Sequence, residues 1–203
     1  SYAGSMVEIK NKQIKREKLL DQGVKMLMEQ GYHGTGLKEI LDIVGVPKGS
    51  FYNYFGSKEE FAAQAITHYI EPFLLRLEGH LRNRKLDGLA ALRQYYSELI
   101  IEVDKSGYKG GCLLGNLMGE IGDTSEVCNR SLKVAIERYR SLQESALVRA
   151  QQEGVVRTDK TATSMSDLLV NNWQGALLRM KIDQSVAPLQ EFRETLLDDY
   201  FKV

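Results

Sequence analysis

The sequence predicts an all-α protein of about nine helices. Three observations carry that expectation. Apolar residues recur three and four positions apart along almost every long segment, which is helical spacing. Glycines, prolines and capping residues fall between those segments, where helices stop and start. No segment alternates apolar and polar residues over strand length; Gly154-Val155-Val156 is too short to be one.

The elements follow in order. Leu19, Leu20, Val24, Leu27 and Met28 share one face, so a first helix is expected from about Lys10 to Gln30, stopped by Gly31. A short helix is expected from Leu37 to Val44, with Thr35 as its N-cap. Gly45-Val46-Pro47 breaks the chain before a second short helix from Lys48 to Phe55. Ser57-Lys58-Glu59-Glu60 reads as a capping box that opens a long helix to about Arg84, kinked at Pro72. Helices are then expected from Leu89 to Lys105, Cys112 to Ile121, Glu126 to Glu153, and Asp159 to Ile182. Pro188 sits in the first turn of a last helix that runs to the C-terminus.

Composition narrows the function classes. The chain has 203 residues, 43% hydrophobic and 27% charged, which suits a globular protein with a sizeable core. Its 27 basic residues balance 27 acidic ones, which excludes a polycation or an acidic disordered chain. No apolar run approaches the roughly 18–20 residues needed to cross a bilayer. Ser1–Ser5 reads as a tag remnant with Met6 as the natural start, and no signal-peptide pattern is visible. Cys112 and Cys128 are too few for a disulfide framework, so a cytoplasmic protein with reduced thiols is expected. His33, His68 and His80 lack metal-ligand spacing. No phosphate loop, nucleophile triad or catalytic carboxylate pair stands out, so neither an enzyme nor a cofactor is expected.

Charge is distributed unevenly. Nine basic and five acidic residues lie between Lys10 and Lys58, an excess of four on a neutral chain. A basic N-terminal module suits a polyanion partner, although solvated helix faces also carry such an excess. Two short helices joined by a tight Gly-containing turn form a helix-turn-helix pattern, with Leu37, Ile40, Val44, Val46 and Phe51 as its small shared core. Its second helix turns Lys48, Tyr52 and Asn53 outward and Phe51 and Phe55 inward. Lys, Ser, Tyr and Asn supply the donors and acceptors that read base edges or hold phosphates. Gly49 and Ser50 let a backbone approach closely. The competing assignment for Tyr52 and Tyr54 is as core aromatics of a small bundle.

The run Gly45-Val46-Pro47-Lys48-Gly49-Ser50-Phe51-Tyr52-Asn53-Tyr54-Phe55, followed by Ser57-Lys58-Glu59, resembles the DNA-binding domain of TetR-family transcriptional regulators. The resemblance spans about residues 10–62. It implies a homodimeric repressor of double-stranded operator DNA with a helical sensing body. It further implies that Lys48, Gly49, Ser50, Tyr52 and Asn53 belong to the recognition helix. Tyr54 and Lys58 match phosphate-holding positions, and Thr35 and Lys38 match DNA-backbone contacts at the second helix. Leu41 and Val44 depart from the family pattern, which often has Ala there. The expected organisation is an arm or tag remnant over 1–9, a helix-turn-helix domain over 10–56, and a sensing and dimerisation domain over 57–203.

The body carries a second signal. Gly110-Gly111-Cys112-Leu113 places Cys112 after a glycine-rich loop and at a helix start, where unpaired N–H groups favour a thiolate. Lys105 and Lys109 are near in sequence and act in the same sense. With the recognition helix, this segment looks like the electrophile-responsive, NemR-type branch of the family, and Cys112 matches the sensing cysteine. The competing assignment is a small buried hydrophobe, the usual state of a free Cys. Lys181 falls in a helix that is a candidate to approach the thiol. Tyr95, Tyr96, Asn116, Trp173 and Gln174 are candidate pocket residues for an inducer, with core or interface as the competing assignment for each. The stripes Leu168, Leu169, Trp173, Leu177, Met180 and Leu189, Phe192, Leu196, Tyr200 are expected to form a dimer interface through the last two helices, with ordinary intrachain packing as the competing assignment. Two alternatives stay open: a repressor induced by a non-covalent small molecule, and a helical ligand-binding bundle without DNA binding.

Overall fold

A computed structural model describes residues 2–203. Nine α-helices succeed one another among the described residues: α1 Tyr2–Gly34, α2 Leu37–Val44, α3 Lys48–Tyr54, α4 Lys58–Arg82, α5 Gly88–Lys105, α6 Leu113–Ile121, α7 Glu126–Gln152, α8 Ala162–Asp183 and α9 Ala187–Phe192. The chain continues from α9 as a π-helical stretch, Arg193–Tyr200. Among the described residues, extended pairing is confined to one isolated bridge, Val156 with Lys202. None of the helices is long and apolar enough to cross a membrane.

Helix boundaries follow local chemistry. The first helix begins earlier than its buried apolar face requires: the turns from Tyr2 to Ile9 are helical but exposed, Tyr2, Met6, Val7 and Ile9 included. Its backbone leaves the helical region at Gly31, with φ of 75°. Thr35 does not cap α2. Gly36 occupies that position, and the Thr35 hydroxyl donates to the Gly31 carbonyl at 2.5 Å. Gly45 ends α2 in the left-handed region, and its N–H donates to the Leu41 carbonyl. Ser57 accepts from the Glu60 N–H at 3.1 Å, and the Glu60 carboxylate accepts from the Gly56 N–H at 2.8 Å. The two contacts form the expected capping box, displaced by one residue on the carboxylate side. Asp87 caps α5 through the Ala90 N–H. The eighth helix starts at Ala162, three residues later than expected, because Thr161 is its cap and Asp159 is held by Arg157.

The chain divides into two compact units. The first comprises residues 1–69 and 113–135, the second 70–112 and 136–203. In the first, α1 packs against α2 and α6. Leu19, Leu20, Met26, Leu27, Ile40 and Phe51 fill its core. Phe51, Phe55 and Phe61 meet with ring centroids 4.9–5.4 Å apart. Gly23 makes room for this cluster: a Cβ there would lie 2.2 Å from the Phe61 ring. In the second unit, α8 packs on α9 and α5 on the π-helical stretch. Gly88 lets α5 and α7 cross closely, since a Cβ would meet the Ala146 carbonyl at 2.3 Å.

Most of the apolar stripe expected at a dimer interface does not face outward, and Leu168 and Tyr200 are half-buried. Leu169, Trp173, Leu177, Met180, Leu189, Phe192 and Leu196 are buried inside the chain. They are intrachain core, so they cannot form a surface stripe. On α8 the exposed large apolar residues are Leu178 (58%) and Ile182 (81%).

Candidate nucleic-acid interface and sensing cluster

The helix-turn-helix follows from three anchors. Ile40, Val46 and Phe51 are buried, so α2 and α3 hold a fixed mutual geometry. Leu37 and Val44 are half-buried at its edge. The Gly45 turn and Pro47 at the N-cap of α3 set the angle between the helices. Phe51 anchors α3 through one face, which leaves Lys48, Gly49, Tyr52 and Asn53 exposed on the other. Ser50 and Tyr54 are half-buried at its edge. No neighbouring atom lies within 4 Å of where a Gly49 Cβ would stand, so the helix start is open to close approach.

The flanking candidates differ. Lys38 is exposed on α2. Thr35 is buried, with its hydroxyl spent on the Gly31 carbonyl, so it supports the start of α2 from inside. Lys58 opens α4 with its ammonium 4.4 Å from the centre of the Tyr32 ring. Burial lowers its pKa, and the Glu120 carboxylate opposes that shift.

Glu120 was invisible in the sequence. It stands near the end of α6, and its carboxylate accepts from the Tyr32 N–H at 2.6 Å and the His33 N–H at 3.1 Å. Both donors follow the left-handed Gly31, where a Cβ would come within 2.8 Å of the same carboxylate. Thus α6 is pinned to the segment that leads into α2. The start of α7 is pinned to α4 as well. Ser125 donates to Glu59 at 2.6 Å and accepts from the Cys128 N–H. Cys128 is buried, its thiol donates to the Glu59 carbonyl at 3.6 Å, and burial pushes its pKa up.

The second unit holds a buried polar cluster. Tyr95, Tyr96 and Trp173 are brought together, with Tyr96 5.1 Å from Tyr95 and 5.0 Å from Trp173 between ring centroids. Phe192 closes the wall against Tyr96 and Trp173. Two members were not singled out in the sequence, Tyr139 and Gln143, one turn apart on α7. The Tyr96 hydroxyl donates to Gln143 Oε1 at 2.7 Å. The Tyr139 hydroxyl lies 3.0 Å from that of Tyr95 and 3.4 Å from that of Tyr96. Burial pushes all three phenols above their ordinary pKa, so they are neutral hydrogen-bonding groups. Gln143 is fully buried, and among the described residues its Nε2 has no acceptor.

Cys112 lies immediately before α6, half-exposed, after Gly110 and Gly111, which both have left-handed φ. Gln174 and Lys181 are half-buried on α8, and Asn116 is half-buried on α6 in the first unit. No group of His, Cys, Asp and Glu among the described residues could hold a metal ion.

An anchored α2–turn–α3 with an exposed polar α3 face defines the class: a helix-turn-helix DNA-binding regulator. Residues 19–65 match the bacterial regulatory proteins of the tetR family, and residues 88–196 match the tetracyclin repressor-like C-terminal domain. The chain belongs to the TetR family of transcriptional regulators. It is 31% identical to the HTH-type transcriptional repressor DhaR of Mycobacterium sp. (strain GP1), over 87% of each chain. It is 29% identical to the HTH-type transcriptional repressor NemR of Escherichia coli K12, over 86% of this chain and 88% of that one. The crystal structure of reduced E. coli NemR superposes with a TM-score of 0.81, 29% identity, and coverage of 88% of this chain and 92% of the other. A regulatory protein TetR from Rhodobacter sphaeroides gives 0.81 at 30% identity, covering 89% and 96%.

Proposed function

We propose that this regulator is a cytoplasmic repressor that grips a palindromic operator as a homodimer and is released by an inducer acting in the second unit. The exposed face of α3 carries the reading. Lys48, Tyr52 and Asn53 project from a helix fixed by Phe51, so they enter a major groove as a rigid set. Gly49 and Ser50 admit the DNA backbone. Lys38, Tyr54 and Lys58 hold phosphates, and Lys58 leaves its position over Tyr32 to do so. Two such heads must sit about one DNA turn apart, near 34 Å. The functional division into a DNA-binding head over 10–56 and a sensing body over 57–203 belongs to the same proposal. Dimerisation uses the outward faces of α8 and α9, with Leu178 and Ile182 exposed on α8.

The inducer is a soft electrophile or oxidant, and Cys112 is its target. The thiol is half-exposed, it follows two left-handed glycines, and α6 begins at the next residue. Addition to a conjugated carbonyl forms an S–C bond at the β-carbon, and the thiol proton ends on the α-carbon. Repressors named among the relatives, NemR and DhaR, support the repressor assignment. One observation favours a second reading, a non-covalent inducer: the buried Nε2 of Gln143 has no protein acceptor, and a ligand carbonyl beside Tyr95, Tyr96 and Trp173 would supply one.

The test is fluorescence anisotropy on an operator found by in vitro selection, with a thiol-reactive electrophile titrated into wild type and Cys112→Ser. Intact mass counts the adducts. Release of wild type at one adduct per subunit, with Cys112→Ser still bound, is the expected result. If wild type stays bound when fully modified, Cys112 is a packing residue and the Gln143 cluster becomes the inducer site.

A further inference from the structure

The DNA-contacting candidates above all lie between Thr35 and Lys58. A groove in the first unit extends that surface onto α1. Its α1 wall includes Asn11, Lys12 and Lys15, and its opposite wall is Ser50, Asn53 and Tyr54 of α3. The α1 positions share one helix face with Gly4, Val7 and Glu8, which complete the same wall. Lys12 leans toward α3, with its ammonium 5.9 Å from the centre of the Tyr54 ring. Among the described residues, neither Lys12 nor Lys15 pairs with a carboxylate. Glu8 is the single acidic residue on the groove wall. Lys10, Lys12, Lys15, Arg16 and Lys18 stand within nine positions of one another, all but Arg16 exposed. Such a run is self-repelling until an anion meets it.

We infer that this groove seats the sugar–phosphate backbone of the DNA strand that flanks α3, with Lys12 and Lys15 as phosphate ligands. The inference rests on the docking of α3 proposed above. Two of the residues assigned to the recognition helix, Ser50 and Asn53, form one wall of the groove. A strand passing along α3 therefore passes within reach of the lysines on the other. Lys12 and Lys15 are about 4.5 Å apart along the helix axis. One DNA strand advances about 3.4 Å per phosphate, so flexible side chains span two successive phosphates. Such contacts add affinity and register without reading sequence.

Salt dependence tests this directly. Binding of the full chain to its selected operator is measured between 50 and 200 mM KCl for wild type, Lys12→Ala/Lys15→Ala and the control Lys85→Ala/Lys160→Ala. Each lost phosphate contact lowers the slope of log K against log salt by about 0.9. The groove variant is expected to lose about 1.8 per subunit, with sequence preference unchanged and the control at the wild-type slope. Circular dichroism confirms folding, since Ala favours an exposed helix. An unchanged slope in the groove variant, with steep wild-type binding, overturns the groove while leaving α3 docking intact. A changed base preference overturns the phosphate assignment. If wild type itself shows no salt-dependent operator binding, the docking of α3 fails first and the groove with it.

Discussion

Replacing Glu120 with Ala removes the acceptor for two backbone N–H groups. Tyr32 N–H is half-buried and 2.6 Å from the carboxylate; His33 N–H is exposed and 3.1 Å away. A hydrogen bond to a charged group contributes about 1.5–3 kcal/mol net when buried, and less where water replaces it. Assigning about 1.5 kcal/mol to Tyr32 and about 0.5 kcal/mol to the rehydrated His33 gives a destabilisation of about 2 kcal/mol. Urea unfolding of the full chain reads this as a lower midpoint at unchanged slope. Amide exchange at Tyr32 and His33 should accelerate while that of the Phe51 helix changes less. There is a functional consequence. If α6 carries the inducer signal to the segment before α2, the clasp transmits no more than its own strength, about 2 kcal/mol, or about a 30-fold change in affinity. Glu120→Ala should therefore still bind operator but lose up to about 30-fold of the wild-type ratio between bound and induced affinities. Full stability with unchanged exchange at Tyr32 refutes the clasp. A lower midpoint with the wild-type induction ratio would instead show that the clasp is structural and the signal takes another route.

Gly23→Ala forces a Cβ to 2.2 Å from the Phe61 ring, and overpacking of this kind should cost about 1–3 kcal/mol by urea unfolding. Ile182→Glu with Leu178→Glu places charge on the exposed apolar spots of α8, so sedimentation should show monomers that retain wild-type helicity. Glu144 accepts from Thr163 at 2.7 Å and from Arg140 at 2.8 Å, and these bonds lower its pKa. A lowered carboxylate pKa adds stability above the unfolded value, about pH 4.3, that is lost as pH falls through the folded value. Glu144→Gln should therefore be less stable than wild type at pH 7, and the gap should close below about pH 4 in paired melts.

What the sequence disclosed was local. The helix-turn-helix was legible because its signals lie within a few residues of one another: Gly45 in the left-handed turn, Pro47 at the cap, and Phe51 spaced to face inward. The capping box and the Gly31 stop were legible for the same reason. Thr35 shows the limit, since a cap-forming residue one position early can turn inward and leave a glycine at the cap. The apolar stripes of α8 and α9 show another. Periodicity identifies a buried face but not what buries it, and here the chain itself covers Leu169, Trp173 and Phe192. Tyr139 and Gln143 gave a weaker cue, two polar residues four apart on an apolar helix face.

Glu120 gave no cue at all, because its partners are backbone N–H groups 88 and 87 positions away that carry no residue identity. The two cysteines sharpen the point. Their side chains are identical, and sequence separated them by position: Cys112 follows two glycines at a helix start with Lys105 and Lys109 near in sequence, whereas Cys128 falls inside a long helix. The fold separates them by surroundings. Cys128 is buried, hydrogen-bonded to the Glu59 carbonyl, and less acidic than an ordinary thiol. Each of these lowers its thiolate fraction and its access to reagents. Cys112 is half-exposed at the head of the helix that ends in the Glu120 clasp. A modification there acts on a helix already pinned at its far end to the segment that positions α2. If such a modification displaces α6, the helix either breaks the clasp or carries with it the segment that leads into α2, and the Glu120→Ala induction ratio tells whether that motion reaches the recognition helix.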